Sequence, residues 1–502
     1  MKKRKLLLVT VNCLLLFVAV LAVMSAVWYI NMYGNMGFAA IIFTLTTNND
    51  SVEEGILLSF FIKALVPALI ISALFCLMLW SKPKNKLIVK DIKKNREYKL
   101  FPFSGKAASL ISTILIISLL VSAAFIVALP QYVISILDKT RFYDYEYIEP
   151  SKVEIEFPEN KRNIVYIMLE SMETSFFSMD EGGGLEYNVI PELYQLATEN
   201  TNFSHNLDIG GWPVVTNASW TIASIVSQTS GVPLSVPMKR NTYGKTSAFL
   251  PGITNLQNVL KENGYYQAVM FGSDGNYAGR DTYYYQHGAD IVYDLFSARN
   301  DGIVPQDYKV WWGMEDMYLY EYAKKVLPEI AKKDQPFMFS MLTVDTHHVS
   351  GYKCSLCMDK YSEQYENVYS CASKQLYAFV EWLKTQPFYE NTTIIICGDH
   401  ASMDAAYFER NFNDDYSRHM YNCFINSVAE TENTKERIFT PFDMFPTTLA
   451  SIGVEIEGNR LGLGTNLYSD VPTLAEKYGM EYINEELGKT SDFYIENFVK
   501  SK

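Results

Sequence analysis

The sequence predicts an α/β protein with a doubly wound sheet, preceded by an α-helical membrane region with three transmembrane helices. Long uncharged apolar runs crowd the first third of the 502-residue chain. From Asn163 onward, short apolar runs alternate with helical patterns, as they do when helices cover both faces of a mostly parallel sheet. One of these runs, NTTIIICGDH, is β-branched and ends in Asp399 and His400, as expected of an interior strand delivering polar groups at its carboxyl end.

The membrane region, residues 1–130, comes first. Residues 6–28, 56–80 and 107–129 are each long enough to cross a hydrocarbon layer about 30 Å thick as a helix. Their one internal charge is Lys63, which is expected to snorkel or to face another helix. Basic residues set the orientation. The chain opens MKKRK, and Lys82, Lys84, Lys86, Lys90, Lys93, Lys94, Arg96 and Lys99 follow the second run, whereas residues 31–55 carry only Asp50, Glu53 and Glu54. Positive loops stay inside, so the amino terminus is expected in the cytoplasm and everything after the third run outside the cell membrane. A cleaved signal peptide would explain the first run but not three with alternating charge.

Residues 131–162 read as a connector whose Tyr143, Tyr145 and Tyr147 suit a membrane interface. The soluble domain is expected over 163–470, with 471–502 as a tail packed on it. Within the domain, NIVYIMLES, YQAVMFGSD and PFMFSMLTVD read as strands and YSCASKQLYAFVEWLKTQ as an amphipathic helix. A net charge of −13 argues against a nucleic-acid partner. Cys354, Cys357 and Cys371 could form a metal knuckle, but outside the membrane a disulfide within the trio is the expectation, with no connectivity readable from spacing.

Chemistry gathers at strand ends. NIVYIMLES delivers Glu170 much as NTTIIICGDH delivers Asp399 and His400, and two carboxylates with one imidazole suit a divalent cation. In GGWPVVTNASWTIASIVSQTSGVPL, Thr221 stands at the apparent start of a helix, where free N–H groups and the positive helix end favour a phosphate. On this segment alone the ordinary reading is a helix N-cap, and Thr216 and Ser219 offer equivalent hydroxyls.

Taken together, NIVYIMLES, SWTIAS, TVDTHH, CGDHASM and RLGLGTNL resemble the phosphoglycerol transferase branch of the alkaline phosphatase (sulfatase-like) superfamily, which includes lipoteichoic acid synthases. The likeness runs from about Asn163 to Leu467 and more weakly into the membrane segment YGNMGFAAIIFTLT. It implies an alkaline-phosphatase-like catalytic domain over 163–470 and a metal site of Glu170, Thr221, Asp399 and His400, with Thr221 as nucleophile. The implied ion is Mn2+, although the residue types also admit Mg2+ or Zn2+. A threonine hydroxyl is a poor nucleophile at neutral pH, and a divalent ion beside it corrects that.

By the same resemblance His347 is the active-site histidine, for protonating a leaving oxygen or binding phosphate, with His348 a weaker second. Arg280, in GSDGNYAGRDTYYYQHG, matches a phosphate-binding arginine, and a guanidinium fork suits phosphate oxygens. Ala278 departs from the lipoteichoic acid synthase pattern, which has a tryptophan there. Trp312 and Asp316 are expected to line the same cleft. The implied activity is transfer of glycerol phosphate from phosphatidylglycerol to an extracytoplasmic glycan or polyglycerol phosphate acceptor. A phosphodiesterase or sulfatase-like hydrolase, a phosphoethanolamine transferase, and a non-catalytic membrane receptor or assembly factor are the rival readings. SWTIAS lacks the modifiable Cys or Ser context that a sulfatase needs.

Overall fold

The computed structural model describes residues 2–33, 38, 41, 54–80, 88–91, 96–99, 105–236, 248–308, 310–311, 313–413 and 415–500. They fall into two compact units, 1–38 with 52–133, and 39–51 with 134–502.

In the first unit, three helices are long and apolar enough to cross a membrane: Leu7–Met32, Leu57–Trp80 and Lys106–Ile126. The first packs on the other two around Leu16, Ala19, Val20, Ala68 and Ile116, and the alanines let the backbones approach. Their outward sides carry exposed Leu14, Leu77 and Leu110, a surface suited to lipid rather than water. Lys63 is exposed, within a single π-helical turn, Phe61–Leu65.

The third helix stops at Ile126 instead of reaching 129. Ala128 takes a left-handed φ of 54°, and Pro130, which has no N–H to donate, sits in the first turn of a new helix, Leu129–Leu137. Most of residues 31–55, including the YGNMGFAAIIFTLT likeness, lies outside the described residues, as do Lys82, Lys84, Lys86, Lys93 and Lys94. Lys90, Arg96 and Lys99 fall in an antiparallel hairpin, Ile88–Asp91 with Arg96–Lys99.

The second unit is built on a six-stranded sheet. Its strands are β1 (Asn163–Leu169), β2 (Tyr266–Phe271), β3 (Ile291–Tyr293), β4 (Phe337–Leu342), β5 (Thr392–Gly398) and β6 (Asn422–Ile425), in the order β6-β5-β1-β4-β2-β3. All neighbours are parallel except the β6–β5 pair at one edge. Every residue of β1, β4 and β5 is buried, which explains why these segments read as unbroken apolar runs. Edge strands β3 and β6 are short, and nothing in the sequence marked them.

Alternation along β1 divides the core. Val165 and Ile167 face one side with Ile394 and Ile396, against α2 (Asp316–Ala331) and α3 (Gln364–Lys384). Tyr166 faces the other side, where its hydroxyl donates to Gln228 on α1 (Thr221–Ser230) at 2.8 Å. Helices therefore cover both faces. α3 begins at Gln364 rather than Tyr369, because Tyr365 and Val368 extend its buried stripe by a turn.

The connector aromatics differ from expectation. Tyr143 is buried against Tyr494 and Phe498, and Tyr147 packs on Phe493 and Phe498, so both hold the C-terminal segment rather than a lipid interface. Only Tyr145 of the three is exposed. Ring faces and edges offer a large apolar contact to one another, and a nearby aromatic tail satisfies them as well as a bilayer interface does.

Candidate metal centre and active site

β1 and β5 are adjacent and parallel, paired from Asn163 with Thr392 to Leu169 with Gly398. That register puts Glu170 and Asp399 side by side at the carboxyl edge. Gly398 is required at this approach, since a Cβ there would lie 1.8 Å from the carbonyl oxygen of Met172. Glu170, Asp399 and His400 are all at least 98% buried, and one ligand atom from each lies within 4.8 Å of the others.

Distances within the cluster are short. His400 Nε2 stands 3.6 Å from Glu170 Oε1, 3.4 Å from Asp399 Oδ2 and 3.3 Å from Thr221 Oγ1. His400 Nδ1 lies 2.9 Å from the carbonyl of Ala401, so Nδ1–H donates there and Nε2 is turned to the cluster. Asp399 Oδ1 accepts from the backbone N–H of Ser171 and of His400, each at 2.7 Å. Its Oδ2, also buried, accepts no hydrogen bond among the described residues. Burial and the neighbouring Glu170 push the Asp399 carboxyl up to about 7. Burial is the largest influence on His400 and pulls it down, yet Asp399 and Glu170 leave the imidazole above its ordinary value. A buried carboxylate oxygen without a donor, held against a second carboxylate and an imidazole nitrogen, fits a divalent cation.

Ser171 organises this corner. It adopts a left-handed φ of 53°, which directs its N–H to Asp399 while its hydroxyl donates to Glu170 Oε1 at 2.7 Å. Thr343, after β4, accepts from the Glu170 N–H at 3.0 Å, and Thr346 donates its hydroxyl to the Glu170 carbonyl.

Thr221 is the first residue of α1 and does not cap it. Trp220, with φ −145° and ψ 158°, is the N-cap and its side chain makes no capping bond, and the threonine hydroxyl lies toward His400. α1 is fixed against the sheet by Ser224, which donates to the Asp399 carbonyl, and by Gln228, which donates to the Gly398 carbonyl at 3.2 Å. The loop before it is held by the C-terminal tail. Asn484 accepts from the Thr216 N–H at 2.8 Å, and Asn217 donates to the Leu487 carbonyl at 2.9 Å. RLGLGTNL supports the far end of α1, where Leu463 N–H donates to the Gly231 carbonyl at 2.8 Å.

The other expected residues divide into three groups. His348 is buried, and burial, His347 and His400 all press its imidazole toward the neutral form. His347 is half-buried beside it, with Nδ1 at 2.8 Å from the His348 carbonyl and its ring edge-on to Trp311 at 5.7 Å. Arg280 is buried, lies over Phe271 at 4.5 Å, and bonds Tyr277, Ser273 and Asp274 through Nε and Nη2. Burial lowers its guanidinium, while Tyr277, Asp274 and Glu170 oppose that. Its Nη1 bonds no protein acceptor among the described residues.

Asp316 is bound to backbone groups. Its two oxygens accept from the N–H groups of Val344 and Asp345 at 2.7 and 3.2 Å, and Asp345 Oδ1 accepts in return from the Asp316 N–H. It is a brace between α2 and the histidine loop, because an acidic residue at a helix start readily bonds nearby backbone donors. Trp312 lies outside the described residues. No disulfide joins Cys354, Cys357 and Cys371, whose sulfurs stand 3.6 and 3.8 Å apart, well beyond a bond of about 2.05 Å.

The sequence reading missed a buried ion pair behind the site. Glu173 accepts from Arg418 Nε at 2.8 Å, from Arg418 Nη2, from the Ser402 N–H at 2.9 Å and from the Ser175 hydroxyl at 2.6 Å. It ties the turn after Glu170 to the turn after His400. A second carboxylate just past a strand end was the available signal, but its partner lies 245 residues away.

A mostly parallel sheet with two carboxylates and an imidazole at its carboxyl edge and a hydroxyl at a helix start beside them fits the alkaline-phosphatase-like class of fold. The chain belongs to the sulfatase family, whose model matches residues 162–454. It is 31% identical over 264 residues to phosphoglycerol transferase I of Citrobacter koseri, a match covering 51% of this chain and 33% of the relative. The Escherichia coli protein of the same description matches to the same extent, at 31% identity. The chain thus spans about a third of the length of these relatives. Among solved structures, the integral membrane lipooligosaccharide phosphoethanolamine transferase A of Neisseria meningitidis has the same fold, with a TM-score of 0.51 at 12% identity, covering 89% of this chain and 84% of that one.

Proposed function

We propose that the chain is a membrane-anchored phosphoglycerol transferase, moving glycerol phosphate from phosphatidylglycerol to a hydroxyl of an extracytoplasmic glycan or polyglycerol acceptor. The observation that carries this reading is the approach of the Thr221 hydroxyl to His400 Nε2, 3.3 Å away, beside two buried carboxylates. The 31% identity to relatives named phosphoglycerol transferase I supports the substrate class. Three apolar helices in the same chain suit a lipid donor, and the distribution of Lys and Arg favours a site outside the cytoplasm.

Glu170, Asp399 and His400 would hold the cation, which we take to be Mn2+. When bound it supplies positive charge that makes the threonine hydroxyl a competent nucleophile and offsets charge on the phosphoryl oxygens. Thr221 Oγ attacks phosphorus, its proton passing to solvent, and the bond from phosphorus to the diacylglycerol oxygen breaks. His347 gives that oxygen a proton. Phosphoglycerol stays esterified to Thr221 while Arg280 Nη1 and the first N–H groups of α1 bind its non-bridging oxygens. An acceptor hydroxyl then attacks the same phosphorus, its proton passing to His347, and the bond to Thr221 breaks, the threonine oxygen taking back a proton from solvent.

The test is incubation of the protein with labelled phosphatidylglycerol and Mn2+, followed by mass spectrometry. A glycerol phosphate adduct mapped to Thr221 is expected. Diacylglycerol release without that adduct, or with the adduct on another residue, overturns the assignment.

A further inference from the structure

Away from the oxygen-rich centre, three sulfurs converge. Cys354 and Cys357 flank a tight turn in which the Cys357 N–H donates to the Cys354 carbonyl at 3.1 Å, and Cys371 reaches them from α3. The Cys354 sulfur lies 3.6 Å from that of Cys357 and 3.8 Å from that of Cys371, and all three fall within 4.8 Å of one another. Thiolates held about 2.3 Å from one tetrahedral ion stand about 3.8 Å apart, and the two distances from Cys354 match that spacing. The Gln375 amide donates to Cys371 at 3.3 Å, which favours its thiolate.

We propose that Cys354, Cys357 and Cys371 form a second metal site, for zinc or another thiophilic divalent ion, that fastens the loop carrying His347 and His348 to α3. Three thiolates supply three tetrahedral positions, and half-buried Cys357 leaves the fourth side to water. Binding releases the thiol protons to solvent. Tyr352 N–H donates to the Asp345 carbonyl at 2.7 Å at one end of this loop, Lys360 and Tyr361 N–H donate to Asn367 of α3 at 2.7 and 2.8 Å at the other, and the trio would add a fastening between them. The site does not depend on the transfer reaction proposed above.

Cobalt distinguishes the two centres, because only sulfur ligands give an intense thiolate-to-cobalt charge-transfer absorption. Reduced full-length protein in detergent is titrated with Co2+. The band should rise to one equivalent, be displaced by Zn2+, persist in Glu170→Gln and disappear in Cys371→Ser. Absence of the band in the wild type overturns the proposal without recourse to any variant. So does a band that survives in Cys354→Ser, Cys357→Ser and Cys371→Ser alike, or a disulfide between any two of the three in protein alkylated at lysis.

Discussion

Oδ2 of Asp399 lies 3.4 Å from Nε2 of His400 and accepts no hydrogen bond among the described residues, while Oδ1 of the same carboxylate accepts two. One oxygen is anchored by backbone donors, and the other is held toward the imidazole and Glu170. Burying an ionisable oxygen without a donor is unfavourable unless a cation offsets it. The geometry of the corner thus suits a preformed ligand set, as proposed above.

Ser171→Ala tests how much of that rigidity comes from the neighbouring hydroxyl. It removes the 2.7 Å bond to Glu170 Oε1 and leaves the backbone bond to Asp399 in place. Metal affinity should fall about 10–100-fold, the usual effect of losing a group that orients a ligand. Isothermal titration with Mn2+ measures it, with little change expected in thermal stability.

Thr221→Ala separates binding from chemistry. The hydroxyl is half-buried at a helix start and caps nothing, so its removal should leave the fold and metal stoichiometry unchanged. Diacylglycerol release should drop to background. Retained release, with metal still bound, would remove Thr221 from the reaction.

Arg418→Ala leaves Glu173 fully buried beside Ser402 with no counter-charge. Loss of about 3–5 kcal/mol is expected, as when one partner of a buried pair is deleted. Chemical denaturation reads the loss, and Glu173→Gln in the same background should recover part of it.

Two carboxyls bracing the histidine loop set a pH dependence. Burial pushes Asp316 up to about 7, and burial with Asp316 beside it drives Asp345 well above the usual range. A raised carboxyl binds its proton more tightly in the fold than in the unfolded chain, so stability is highest below about pH 4 for this pair and declines as pH rises toward 7. Asp345→Asn removes one of the two like charges and should flatten that decline. Melting temperature across this range is the readout.

Much of this arrangement was legible from residues alone. Glu170, Asp399 and His400 follow runs whose continuous apolar character reflects burial on both sheet faces, and that same burial sends the next polar residue to the sheet edge. What stayed hidden depends on pairing across distance. Thr216 is fixed by Asn484, Glu173 by Arg418 and Tyr143 by Tyr494, contacts that no local period encodes. The bonds of Asp316 to the N–H groups of Val344 and Asp345 are hidden for a related reason, since a carboxylate near a cleft motif looks the same in sequence whatever its oxygens accept.

Crystals of the domain soaked in Mn2+ and measured at the manganese absorption edge address the metal centre directly. One strong anomalous peak is expected about 2.0–2.2 Å from Glu170, Asp399, His400 Nε2 and Thr221 Oγ1. A peak elsewhere with none among these four side chains would contradict the assignment.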